Sequence, residues 1–155
     1  MNRLIASVIA LLLCCNTAWG QPGTSSMVTI SAARVGQSLL LALEIPAPLA
    51  TVPGDTLAER LGTLAGMLKD VARVLIVPEA AGCRRLGGQI IVHTKPGAGP
   101  SPGISAGWEF ECATPDALGA LEISLFSSLQ VQSIQAVVFP NQQIIITPDD
   151  PYLPL

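Results

Sequence analysis

The chain has 155 residues, half of them hydrophobic and only 12% charged, with a formal net charge of −3. That composition excludes an intrinsically disordered chain and offers no cationic surface to nucleic acid. The length fits one domain with a substantial core.

Residues 1–20, MNRLIASVIALLLCCNTAWG, open with Arg3, continue through an apolar run from Leu4 to Leu13, and close on Ala18-Trp19-Gly20. This is the form of a secretory signal peptide cleaved before Gln21. The run is about half of the roughly 20 residues a bilayer-spanning helix needs, and no longer run follows. The expectation is a periplasmic chain with no membrane span. A lipoprotein signal is the alternative, because Cys14 and Cys15 follow a leucine run; a small residue should then precede the lipidated cysteine, and Leu13 or Cys14 stands there. Cleavage would remove Arg3 and both early cysteines, take the formal charge to −4, and leave residues 21–155 as a single domain. Two cysteines remain, Cys83 and Cys112, and an even count in an oxidising compartment reads as a disulfide; two buried free thiols are the alternative.

Val28, Ile30 and Ala32 alternate with polar neighbours, and after a turn at Gly36 the residues Leu39, Leu41, Leu43 and Ile45 continue the period of two. Two strands follow from this. Pro46, Pro48 and Pro53 then end the extended run. Thr56-Leu57-Ala58-Glu59 has the form of a capping box, with Asp55 as a second candidate cap, and Leu57, Leu61, Leu64, Leu68, Val71 and Leu75 recur at helical spacing. The spacing predicts one long amphipathic helix through Leu75. Gly62 and Gly66 interrupt it at a cost of up to ~1 kcal/mol each, which a close approach to a sheet would justify.

Past Cys83, the segment Gln89 to Thr94 reads as a short strand. The loop "KPGAGPSPG" follows His93, and then Ile104, Ala106, Trp108, Phe110 and Cys112 alternate with Ser105, Gly107, Glu109 and Glu111. A hairpin is predicted, with the two cysteines at the start of one arm and the end of the other. Pro115 begins a short helical turn, Leu121, Ile123 and Leu125 suggest an extended piece, and two last strands, Ser133 to Phe139 and Gln143 to Thr147, flank the turn "PNQ". The tail "PDDPYLPL" is broken by proline. Short strands around one helix predict an α+β fold, a mainly antiparallel sheet packed against that helix.

Groups fit for chemistry are few. The chain has one histidine, His93, which is the sole imidazole available to a metal and needs partners to build a zinc site. Serines are plentiful, but no Gly-x-Ser-x-Gly elbow occurs, so no catalytic residue is assigned. Glu109 and Glu111 lie roughly 6.6 Å apart along one strand, near the spacing of a glycosidase pair. Acids opposite Trp108 and Phe110 are also what a solvated sheet face looks like. Asp149-Asp150 reads as a charged tail, whose adjacent carboxylates could loosely hold a cation, and Arg84-Arg85 as a solvated turn, with an anion site as the alternative. A phosphate cradle in the glycine-rich loop fails, since Pro96, Pro100 and Pro102 remove backbone donors and a strand follows.

The runs "LALEIPAPLA", "VPEAAGC", "WEFECATPDALGALEISLF" and "QSIQAVVFPNQQIIITP", with Cys112, Pro115, Leu118, Leu121, Leu125 and Phe126 in the order Cys-x-x-Pro-x-x-Leu-x-x-Leu then Leu-Phe, resemble the ZrgA-like zinc-regulated periplasmic proteins. The resemblance covers Met27 to Leu155. It implies a secreted, non-enzymatic accessory protein tied to zinc acquisition, partnered by a periplasmic protein or a metal-uptake component. Members of that family carry a His-x-His-Gly start and a His- and Asp-rich insertion between the cysteines. Here those places read "TSSMVTISA" and "HTKPGAGPSPG", so no cofactor is expected and zinc enters by resemblance alone. A protein-interaction module using a sheet edge or the loop 96–103 is the second reading. A hydrolase is the third, and requires a pocket that pairs His93 with a carboxylate and an activated serine.

Overall fold

The computed structural model describes residues 27–95 and 101–155. The expected signal peptide lies outside the described residues, as does most of the loop after His93. Among the described residues, nine strands form two sheets and, with one α-helix, enclose a single core.

The larger sheet has six strands in the order β4-β5-β2-β1-β7-β8, formed by β1 (Val28–Val35), β2 (Ser38–Pro46), β4 (Cys83–His93), β5 (Gly103–Cys112), β7 (Ile134–Val138) and β8 (Gln142–Ile146). Neighbours run antiparallel except β1 and β7, which are parallel from Val28↔Ile134 to Ala32↔Val138. The sheet is therefore mixed rather than simply antiparallel. Nothing local in a strand of alternating residues marks a parallel partner a hundred residues away. A second, antiparallel sheet has the order β3-β6-β9, from β3 (Leu75–Ile76), β6 (Ala120–Ile123) and β9 (Tyr152–Pro154). Its last strand comes from the tail predicted to be proline-broken. Pro154 is tolerated there because β9 is an edge, where a missing N–H removes no ladder bond that a neighbour needs.

The alternation read in β1, β2 and β5 points one set of side chains inward. Leu39, Leu43, Ile45, Ile30 and Ile104 are almost wholly buried, in one cluster with Leu61, Leu64 and Leu68 of the helix and Leu121, Ile123 and Leu153 of the small sheet. Each such leucine stabilises the fold by roughly 2 kcal/mol through the apolar surface it withdraws from water. Helix and small sheet thus cover the inner face of the large sheet. The outer face carries residues that are half-buried or exposed along β1, β2 and β5.

The helix, α1 (Leu57–Leu68), begins on the predicted capping box. Glu59 N–H donates to Thr56 Oγ1 at 3.2 Å, and Glu59 Oε2 accepts from the N–H of Thr56 at 3.0 Å and of Asp55 at 2.9 Å. Asp55 is therefore held by the box rather than serving as the cap. The helix is twelve residues long and stops well before Leu75. Asp70 leaves the helical region, and its carboxylate accepts from Ala72 N–H at 3.2 Å, starting a separate 3-10 turn over Val71–Arg73. A side-chain acceptor placed there competes directly with the next helical turn. Leu75 then enters β3, so its helical spacing is coincidental.

The glycines of α1 are not at a close approach. Both are exposed, and an added Cβ at Gly62 or Gly66 would meet no atom within 4 Å. Alanine there removes backbone freedom from the unfolded chain and meets no obstacle in the folded one. We expect Gly62→Ala and Gly66→Ala each to raise stability by about 0.5–1 kcal/mol, seen as a higher urea midpoint at unchanged slope.

Candidate functional site

The hairpin of β4 and β5 brings together most of the residues singled out by sequence. Cys83 and Cys112 are direct partners in its register and form a disulfide, with Cα atoms 3.9 Å apart. Cys112 is fully buried and Cys83 half-buried, so the bond closes the rim of the core. Glu109 and Glu111 share the outer face, in different surroundings. Glu111 Oε2 accepts from Arg84 Nη2 at 2.7 Å and Nε at 3.1 Å, while Glu109 stands exposed. Arg85 parts from its neighbour: its Nη1 donates to the Lys69 carbonyl at 3.3 Å, at the C-terminal end of α1. Asp149 and Asp150 are exposed in the turn before β9.

His93 lies at the far end of β4 from the disulfide. Its Nε2 is 2.9 Å from Ser105 Oγ, and Ser105 Oγ donates to Glu44 Oε2 at 2.7 Å. The register explains the meeting: Glu44 of β2 stands directly opposite Ser105 of β5, and His93 is two residues beyond Ile91, the β4 partner of Ser105. Sequence reasoning named His93 but missed Ser105 and Glu44, because three strands must be paired before the row exists.

A histidine, a serine and a carboxylate in one chain invite comparison with a triad, and the proton direction decides it. A hydroxyl has one proton to give. Here it goes to Glu44, so the hydrogen-bond network assigns the proton between His93 and Ser105 to Nε2. An activated serine needs the opposite: its proton directed to the imidazole, with the carboxylate behind the imidazole. The array ties β4, β5 and β2 together as a polar clasp. Among the described residues no group of three or more His, Cys, Asp or Glu side chains could hold a metal ion.

Two surface features remain. On the outer face, Ser31, Ala33 and Ala42 floor an apolar depression of about 320 Å³ walled by Leu40, Val137 and Phe139. At the margin, β4 is an edge strand of eleven residues, none of them buried. Leu86, Ile91 and Val92 expose 47%, 44% and 36% of their surface along it, which is much apolar area for an unpaired edge.

No family model matches the chain, and no curated protein matches it either.

Proposed function

We propose that this chain is an exported, non-enzymatic binding module that works by protein interaction through the free edge of its large sheet. The observation that carries the reading is β4 itself: long, without a fully buried residue, and paired on one side only among the described residues. An unpaired strand offers half of its backbone N–H and C=O groups to another chain, and strand addition turns those groups into affinity. The Cys83–Cys112 bond pins the strand to the body of the protein at one end, and the His93–Ser105–Glu44 clasp pins it at the other. An edge held at both ends is pre-organised to receive a partner.

Export to the periplasm is supported by the disulfide, which persists in oxidising compartments. The ZrgA-like resemblance supplies a setting, an accessory role in zinc acquisition beside a metal-uptake component. The engagement of His93 by Ser105 supports a role in which this chain does not itself gather the metal.

The test is a photo-crosslinking amino acid in place of Leu86 or Ile91, with Thr63 on the exposed side of α1 as control, in cells that export the full chain. A discrete adduct from the β4 positions and none from Thr63 is expected. Equal adducts at all three, or none at β4, overturn the reading.

A further inference from the structure

We infer that the partner strand received by β4 is an acidic one, an extended segment with a β-branched centre and carboxylates at both ends. This deepens the reading of β4 as an interaction edge and rests on it. The argument combines which backbone groups face outward with where the unneutralised charge lies.

The direction of the backbone groups follows from two hydrogen bonds. Cys112 N–H donates to the Gln37 carbonyl at 2.8 Å, and the Pro102 carbonyl accepts from Ala47 N–H at 2.9 Å. Even-numbered residues of β5 therefore turn their backbone groups toward β2, and by alternation the odd-numbered ones face β4. In the β4–β5 register, the β4 residues opposite Trp108, Ala106 and Ile104 are Gly88, Ile90 and Val92. These pairs lack mutual backbone bonds, so Gly88, Ile90 and Val92 present their N–H and C=O groups to the free edge. The register irregularity between Arg85 and Gly87 ends this regular stretch on one side.

Cations bracket that stretch along the chain, while the carboxylates beside it, Glu109 opposite Gly87 and Glu44 in the clasp, lie on β5 and β2 behind the edge. The described residues contain seven Lys and Arg side chains, and Arg34, Arg73 and Arg84 are in ion pairs with Asp116, Asp70 and Glu111. Of the four described cations without a described carboxylate partner, two, Arg85 and Lys95, lie on this stretch of chain. Arg85 is near the start of β4, Lys69 offers it a carbonyl, and Lys95 is two residues past the end. A protein of net charge −3 thus carries one such cation at each end of its long edge strand. Arg85 and Lys95 are about 33 Å apart by strand rise, the reach of a ten-residue strand.

The same charges disfavour a second copy of this chain as the occupant. Antiparallel pairing of two β4 strands about Ile90, which sets Gly88 opposite Val92, brings Arg85 of one copy against Lys95 of the other, cation against cation. An acidic segment meets cations at both ends in either direction. Its β-branched centre covers Leu86, Ile91 and Val92.

The experiment uses the disulfide-intact chain and synthetic peptides of the form Glu-Glu-Val-Thr-Val-Thr-Val-Glu-Glu, with a glutamine-flanked version as comparison, read by fluorescence anisotropy. The acidic peptide should bind about tenfold more tightly at low salt, and the gap should close as salt is raised. Lys95→Gln should narrow it without changing affinity for the glutamine peptide. N-methylation of alternate peptide residues should abolish binding in one phase and spare it in the other. Amide exchange should slow at Gly88, Ile90 and Val92. Equal affinity for both peptides, no binding of either at millimolar concentration, or indifference to the phase of N-methylation overturns the assignment. The photo-crosslink at Leu86 and Ile91 is read separately: an adduct there without acidic-peptide preference removes the partner's chemistry and leaves the interaction edge standing.

Discussion

Replacing both Cys83 and Cys112 with alanine should lower the unfolding free energy by about 3.5 kcal/mol, the chain-entropy value for a sequence separation of 29 residues. The double substitution is the clean comparison, because a single one leaves a thiol in a rim that is fully buried on the Cys112 side. Total stability for a domain of this size is on the order of 5–15 kcal/mol, so the loss is a large share of it. It should fall first on β4. That strand has one hydrogen-bonded neighbour and no buried residue, and it is joined to β5 covalently only through the bond and the connecting loop. Urea unfolding gives the global loss. Amide exchange along β4, expected to quicken more than exchange along β1 and β2, shows whether the edge opens before the rest. A global loss under 1 kcal/mol would mean that the pairing of β4 with β5 alone already restrains the reduced chain.

The features legible in the sequence were those in which a local pattern and the tertiary burial agree. Residues Ile104 to Cys112 alternate because one face of β5 meets the core and the other meets water, and the cysteine at the end of the inward set met its partner as the hairpin required. Thr56 and Glu59 formed their box because the interaction is complete within four residues. The failures share a different cause. Val71 and Leu75 keep helical spacing past the end of α1, but the Asp70 carboxylate diverts the chain, and burial of Leu75 in β3 reproduces the same period by accident. The start of β4 had no pattern to read, since a strand exposed on both faces is under no pressure to alternate and "RRLGG" looks like a turn. The clasp was invisible for a third reason. Glu44, Ser105 and His93 are brought together by register across three strands, and no spacing along one strand encodes it. The edge proposed for interaction therefore sits where sequence reading is weakest.

The second large effect is expected at Gly103, the first residue of β5. A Cβ built there would stand 2.4 Å from the Ile45 carbonyl oxygen, with Pro46 Cα at 3.2 Å and Ala47 N at 3.3 Å. All three are backbone atoms, so no rotamer change relieves the contact. The strand end would have to move from β2, breaking the Gly103↔Pro46 pairing and the bond from Ala47 N–H to the Pro102 carbonyl. Gly103→Ala should cost about 2–3 kcal/mol, at the upper end of what overpacking costs, measured as a lower urea midpoint. The consequence reaches the clasp, because Ser105 and its partner Glu44 sit two residues in from that junction on facing strands. Displacing the start of β5 should therefore loosen His93 and the far end of β4 as well, and the His93 imidazole resonances should broaden or shift in the variant. A Gly103→Ala protein with unchanged stability and unchanged His93 resonances would show that the end of β2 yields without disturbing the row beside it, and that the clasp is independent of the packing at that junction.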